Sequence, residues 1–170
     1  QNVQEFKDMI KIIYASLEPS VAALRFSAQE AYEDGRIADA IDNLSKLSEC
    51  CEDDFSVFLS LGIISLFHEK DKEKALEYFD KAAEIVESQS DFYTSYALLY
   101  KALVLRNLDR IDEAQRFSRQ AVGLSPDFTE ALYQNAQYNA LLKNTDTAIS
   151  TLKTIVRTDI LYCLKITNEQ

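Results

Sequence analysis

The sequence predicts an all-α fold in which about four antiparallel helical hairpins stack side by side, preceded by one extra N-terminal helix. Three observations carry this. The first is a fixed offset: 34 residues after Ala114 comes Ala148, and the same shift takes Leu98 to Leu132 and Ala102 to Ala136. An offset of that size is the length of one two-helix unit. The second is that apolar residues recur at helical spacing along most of the chain. The third is composition: 47% of the 170 residues are hydrophobic, with only 3 Gly and 2 Pro. That disfavours long loops and a turn-rich β fold, and the length is enough to bury a core.

Taken in order, residues 1–18 form the extra helix. Val3, Phe6, Ile10, Ile13 and Leu17 make its apolar face, and Glu5, Lys7, Asp8 and Lys11 the polar one. Pro19 ends it and Ser20 caps the next helix. The array then spans 21–157. In the first unit, about 21–54, Leu24, Ala28 and Ala31 lie on one helix, Gly35 stops it, and Ala40, Ile41, Leu44 and Leu47 lie on the second. The acids Glu49, Glu52, Asp53 and Asp54 fall where the next helix starts, and its macrodipole favours negative charge there. The second unit, about 55–90, has Phe58, Leu61, Gly62 and Leu66, a polar turn at Glu69 to Lys72, then Ala75, Phe79, Ala82 and Ala83. Its register departs from the period. Ala40 to Ala75 is 35 residues and Ala75 to Ala114 is 39. The five extra residues, around Ile85 to Ser95, are expected to lengthen the flanking helices, with a break at Ser88 to Ser90. The third unit covers about 95–128 with its turn at Asn107 to Arg110, and the fourth 129–158 with its turn at Lys143 to Asp146. Residues 159–170 read as the start of a closing helix or a tail.

The formal charge is -10, and the acid excess lies mostly in the first half. Nucleic acid is excluded as a partner, because phosphate binding needs clustered Lys and Arg. A protein or peptide partner of neutral or basic charge is expected. No apolar run reaches membrane-span length, so no membrane insertion is expected. Cys50, Cys51 and Cys163 are an odd set without a framework spacing, which points to a reducing compartment, the cytoplasm. Two adjacent cysteines on a helix would point their thiols about 100° apart, straining a mutual disulfide. The chain begins with Gln1, without a visible secretory signal, and is expected to be a segment of a longer protein or a processed product.

Catalysis needs convergent acids, bases or nucleophiles. The single histidine, His68, ends a helix beside a charged turn and reads as a surface residue. Cys50-Cys51 has no second pair for zinc, three scattered glycines build no phosphate loop, and Glu49 to Asp54 lack the alternation of a calcium loop. No enzyme, metal or cofactor is expected.

The pattern resembles the tetratricopeptide repeat. The first unit supplies Leu24, Ala28, Ala31, Ala40, Leu44 and Leu47. The second supplies Phe58, Leu61, Gly62, Ala75, Phe79 and Ala82. The third supplies Leu98, Ala102, Leu105, Ala114, Ala121 and Pro126, and the fourth Leu132, Ala136, Ala148, Leu152 and Ile155. Small residues at the crossing points let paired helices approach closely. Trp is absent, Pro closes only one unit, and Asn135 and Asn139 replace the expected Leu and aromatic. Those two asparagines need interhelical partners or a wet groove. The resemblance implies a right-handed superhelix whose first helices line a concave, peptide-binding surface. The residues that would face it are Arg25, Gln29 and Tyr32, then Leu59 and Ile63, then Tyr96, Leu99, Leu103 and Arg106, then Tyr133, Gln137 and Tyr138. The Lys, Asn and Arg set with which some members grip chaperone C-termini is not reproduced. The resemblance thus implies an interaction module that docks a peptide or helix of a partner. A second reading is self-association, as a homodimer or spacer, through an apolar C-terminal face around Leu152, Ile155, Ile160 and Leu164.

Overall fold

Eight α-helices follow one another in the computed structural model, which describes residues 20–87, 89–159 and 162. They are α1 (Val21–Glu33), α2 (Ile37–Cys50), α3 (Phe55–Ile64), α4 (Lys72–Val86), α5 (Asp91–Asn107), α6 (Ile111–Leu124), α7 (Thr129–Leu141) and α8 (Thr145–Thr158). A π-helical turn, Ser65–Glu69, prolongs α3. The described residues contain no strand. The helix expected over residues 3–17 lies outside the described residues, as do Ile160 and Leu164 of the expected C-terminal face.

Consecutive helices pair into four antiparallel hairpins, and each helix packs on its neighbours in the chain, with α5 also meeting α7. Every hairpin turn places one residue in the left-handed region: Gly35 (φ 75), Lys70 (φ 59), Asp109 (φ 58) and Lys143 (φ 63). Only the first is glycine; the others bear a cost of roughly 1–2 kcal/mol each. The next residue's N–H then closes the helix end, Arg36 to the Ala31 carbonyl at 2.8 Å, Arg110 to Leu105 at 2.9 Å and Asn144 to Asn139 at 2.8 Å. In the second hairpin Asp71 reaches back to Ser65 at 2.9 Å, one residue further. The π-helical turn thus absorbs the single residue by which Ala40 to Ala75 exceeds the period.

Side-chain caps start four helices, the first being α1, where Ser20 Oγ accepts from the Ala23 N–H at 3.2 Å. The Asp54 carboxylate accepts from the Ser56 N–H at 3.0 Å, Asp71 from Lys74 at 3.0 Å and Ser90 from Tyr93 at 3.4 Å. Ser90 is therefore the cap of α5, and α5 begins ahead of Ser95. The five-residue excess resides in α4 and α5, which at 15 and 17 residues are the longest of the described α-helices.

The core is a row of clusters at the helix joints rather than one central mass. The first joins Ala28, Ala31, Ala40, Leu44 and Leu47 to Val57, Leu61 and Ile64. The next gathers Leu66, Ala75, Phe79 and Val104, and the third Ala102, Leu105, Ala114 and Tyr138. Alanine at each crossing lets the axes approach. At Gly62 the approach is closer still: a Cβ there would lie 2.7 Å from the Phe79 ring. Asn135 and Asn139 are buried and satisfied. The Asn135 amide donates across to Ser118 Oγ on α6 at 2.9 Å, Asn139 donates to the Asn135 carbonyl at 2.8 Å, and Asn144 donates to Asn139 Oδ1 at 3.3 Å. Among the described residues no buried side-chain nitrogen or oxygen lacks a partner.

Candidate functional site

The first helices of the hairpins carry three groups of candidate contact residues. Between α1 and α3 lies a cavity of about 470 Å³. Arg25, Gln29 and Tyr32 form one wall, Ser56, Ser60 and Ile63 the other, and Ala28, Leu44, Leu47, Val57 and Ile64 an apolar floor. The helical spacing of Arg25, Gln29 and Tyr32 puts all three on one face of α1. Asp54, besides capping α3, binds the Arg25 guanidinium, which also donates to Ser56 Oγ at 3.4 Å. Gln29 donates its amide to Glu33 at 2.9 Å, a bond that does not use its carbonyl oxygen. Tyr32 meets the His68 ring edge to face at 5.4 Å, with its hydroxyl 3.3 Å from His68 Nε2.

The second group is aromatic. Tyr96 and Tyr100 contact at 5.2 Å between ring centroids, Phe128 stacks on Tyr96 at 6.0 Å, and exposed Phe92 contacts Phe128 at 5.5 Å. Tyr100 also stacks on Phe79 at 5.3 Å, tying the ladder to the core. Burial, followed by the bond to Tyr96, raises the Tyr100 phenol well above its ordinary range. In the third group Tyr133 packs against Tyr162 at 5.8 Å, and the Tyr162 hydroxyl donates to Glu130.

Of the residues expected to face the groove, Arg25, Gln29, Tyr32, Arg106 and Gln137 are exposed. Leu59, Ile63, Leu103, Tyr96 and Tyr133 are half-buried, and the three aliphatic ones also pack on the Phe79 cluster. Two expectations are corrected. Leu99 is 4% exposed and packs with Ala121 and Ala131, because α7 closes over that side of α5. Tyr138 is 0% exposed, sits among Ala102, Leu105 and Ala114, and donates its hydroxyl to Gln134 at 2.8 Å. Burial pushes its phenol up to about 12. The reading of the sequence missed Phe92, Tyr100 and Phe128. The signal available was the spacing of four between Phe92, Tyr96 and Tyr100, which stacks them along one helical face.

Four helical hairpins packed in a row, with small residues at the crossings, define an α-solenoid. Residues 91–128, which hold α5 and α6, match the tetratricopeptide repeat family model. No curated protein matches the sequence. Among solved structures it is similar to MamA at 18% identity, covering 90% of this chain and 85% of that one with a TM-score of 0.73. It is similar to PilW, described as a type IV pilus biogenesis factor, at 15% identity, 91% and 69% coverage and a TM-score of 0.74. It is also similar to YrrB, described as a tetratricopeptide-repeat protein with an unusual peptide-binding site, at 18% identity, 88% and 74% coverage and a TM-score of 0.69. These likenesses establish the right-handed superhelical fold. Repeats of this family serve as protein-interaction scaffolds, and no described helix is long and apolar enough to cross a membrane.

Proposed function

We propose that the concave side binds a peptide segment of a partner protein, anchored in the cavity between α1 and α3. The observation that carries this reading is the composition of that cavity: an apolar floor beneath a rim of Tyr32, Gln29, Ser60 and Arg25. An apolar side chain would fill the floor, and the Gln29 carbonyl would accept from the ligand backbone. The aromatic ladder around Tyr96 would extend the contact surface at low entropic cost. The net charge of -10 favours a neutral or basic ligand. The thiol usage supports an encounter in the cytoplasm.

The test uses peptides selected from a random display library on the folded protein. Gln29→Ala combined with Tyr32→Ala is expected to weaken the selected peptides about tenfold or more, with the melting temperature unchanged because both side chains are exposed. Unchanged affinity would overturn the reading. Tyr96 and Tyr133 are poorer probes, since each is half-buried against another ring while Tyr32 is exposed.

The second reading, self-association, is supported by α8. Ile149, Leu152 and Val156 are 45%, 41% and 57% exposed on one face, an apolar stripe without a described partner. Ile155 does not belong to it, being 1% exposed against the hairpin core. Val156→Asp is expected to abolish any concentration dependence of the sedimentation coefficient; a wild-type chain that stays monomeric throughout the series removes this reading.

A further inference from the structure

The α2–α3 turn holds two thiols that the interaction reading does not use. Helix α2 ends at Cys50, and Cys51 leaves helical backbone at φ -134 and ψ 63 while its N–H bonds to the Leu47 carbonyl at 2.8 Å. The two side chains therefore do not splay as they would on a continuous helix. Their sulfurs lie 3.7 Å apart, Cys50 is exposed, and Cys51 is half-buried. The turn is fixed from both sides, by the Asp54 N–H bonding the Cys51 carbonyl at 3.1 Å and by Cys50 Sγ against the Leu47 carbonyl at 3.5 Å.

We propose that Cys50 and Cys51 form a two-thiolate chelating site for a thiophilic divalent cation of the zinc class. The bite decides the geometry. With metal–sulfur bonds of about 2.3 Å, a tetrahedral angle separates the sulfurs by about 3.8 Å, whereas a linear arrangement needs about 4.6 Å. The observed separation fits the bent chelate with little movement. The charge decides the sign: Glu49, Glu52 and Asp53 are exposed acids flanking the pair, while Arg25, the nearby cation, is neutralised by Asp54. Such surroundings favour a cation and disfavour free thiolates. Among the described residues no cage of three or more ligating side chains exists, so the remaining coordination positions would be filled by water or an added donor. Binding forms two metal–sulfur bonds and releases two protons to solvent.

The test is a cadmium titration of the Cys163→Ser protein, followed by the thiolate-to-cadmium charge-transfer absorption in the ultraviolet. The expected result is one ion per chain, with Cys50→Ser and Cys51→Ser each weakening binding at least tenfold and the helical circular dichroism unchanged. A readout that needs no variant of the pair comes from phenylarsine oxide, which condenses with two thiols to give a cyclic dithioarsenite and one water. Mass spectrometry is expected to find one such adduct on the Cys163→Ser protein. No cadmium band and no adduct, or a band that survives Cys51→Ser at full strength, would overturn the site.

Discussion

Gly62 shows how much of this fold depends on single side chains. It carries no strained backbone; its role is the space above it, where the Phe79 ring lies within 2.7 Å of the missing Cβ. Alanine would gain about 1 kcal/mol of helix propensity but force Phe79 off its position at about 1–3 kcal/mol. Gly62→Ala is therefore expected to lower stability by up to about 2 kcal/mol in urea denaturation, and Gly62→Ala with Phe79→Leu to recover part of it. The buried phenols give a second residue-scale effect. Tyr138 titrates near 12 in the fold against about 10 in an unfolded chain. A folded pKa raised in this way contributes stability that is complete below about pH 10 and is lost as pH rises through 12. Melting temperatures should thus fall steeply above pH 10, and Tyr138→Phe should flatten that fall.

At the level of the element, the second hairpin carries one residue more than its siblings and stores it in the π-helical turn Ser65–Glu69. Phe67 in that turn is exposed. Deleting it restores the common register, leaving Ser65 and Lys70 in the places held by Leu105 and Asp109 in the third hairpin. The deletion should cost no more than about 1–2 kcal/mol, on the order of one exposed turn. Deleting Gln115 from the middle of α6 instead rotates everything beyond it by about 100°, turns Ser118 and Ala121 out of the core, and is expected to unfold the third hairpin. Thermal melts of the two variants separate these outcomes. The same elements mark what the sequence could reveal. The four hairpins were legible because small residues must recur wherever two axes cross. The turn that absorbs the odd residue was not, since a count of 35 states an excess without locating it. Leu99 and Tyr138 were misplaced for a related reason. Helices α5 and α7 are packed by partners before and behind and also touch each other, so apolar residues surround them and spacing alone singles out no outer face.

The whole molecule is a row, in which helices touch their chain neighbours and the core is divided among joints. Stability in such a row is close to a sum of unit and nearest-neighbour terms, so the position of a defect matters as much as its size. Ile155 and Phe79 test this. Both are buried, at 1% and 0% exposed, and truncation to alanine costs about 2–5 kcal/mol at either. Ile155 lies on α8, which is supported by α7 from one side only among the described helices. Ile155→Ala should raise hydrogen exchange in α8 and α7 and leave α3 to α5 protected. Phe79 lies where α3, α4 and α5 meet, under Gly62 and against Tyr100. Phe79→Ala should accelerate exchange in both halves, because it severs the row at its middle joint. Equal loss of protection throughout the chain in the two variants would mean that the joints act as one cooperative core, and the nearest-neighbour description would fail.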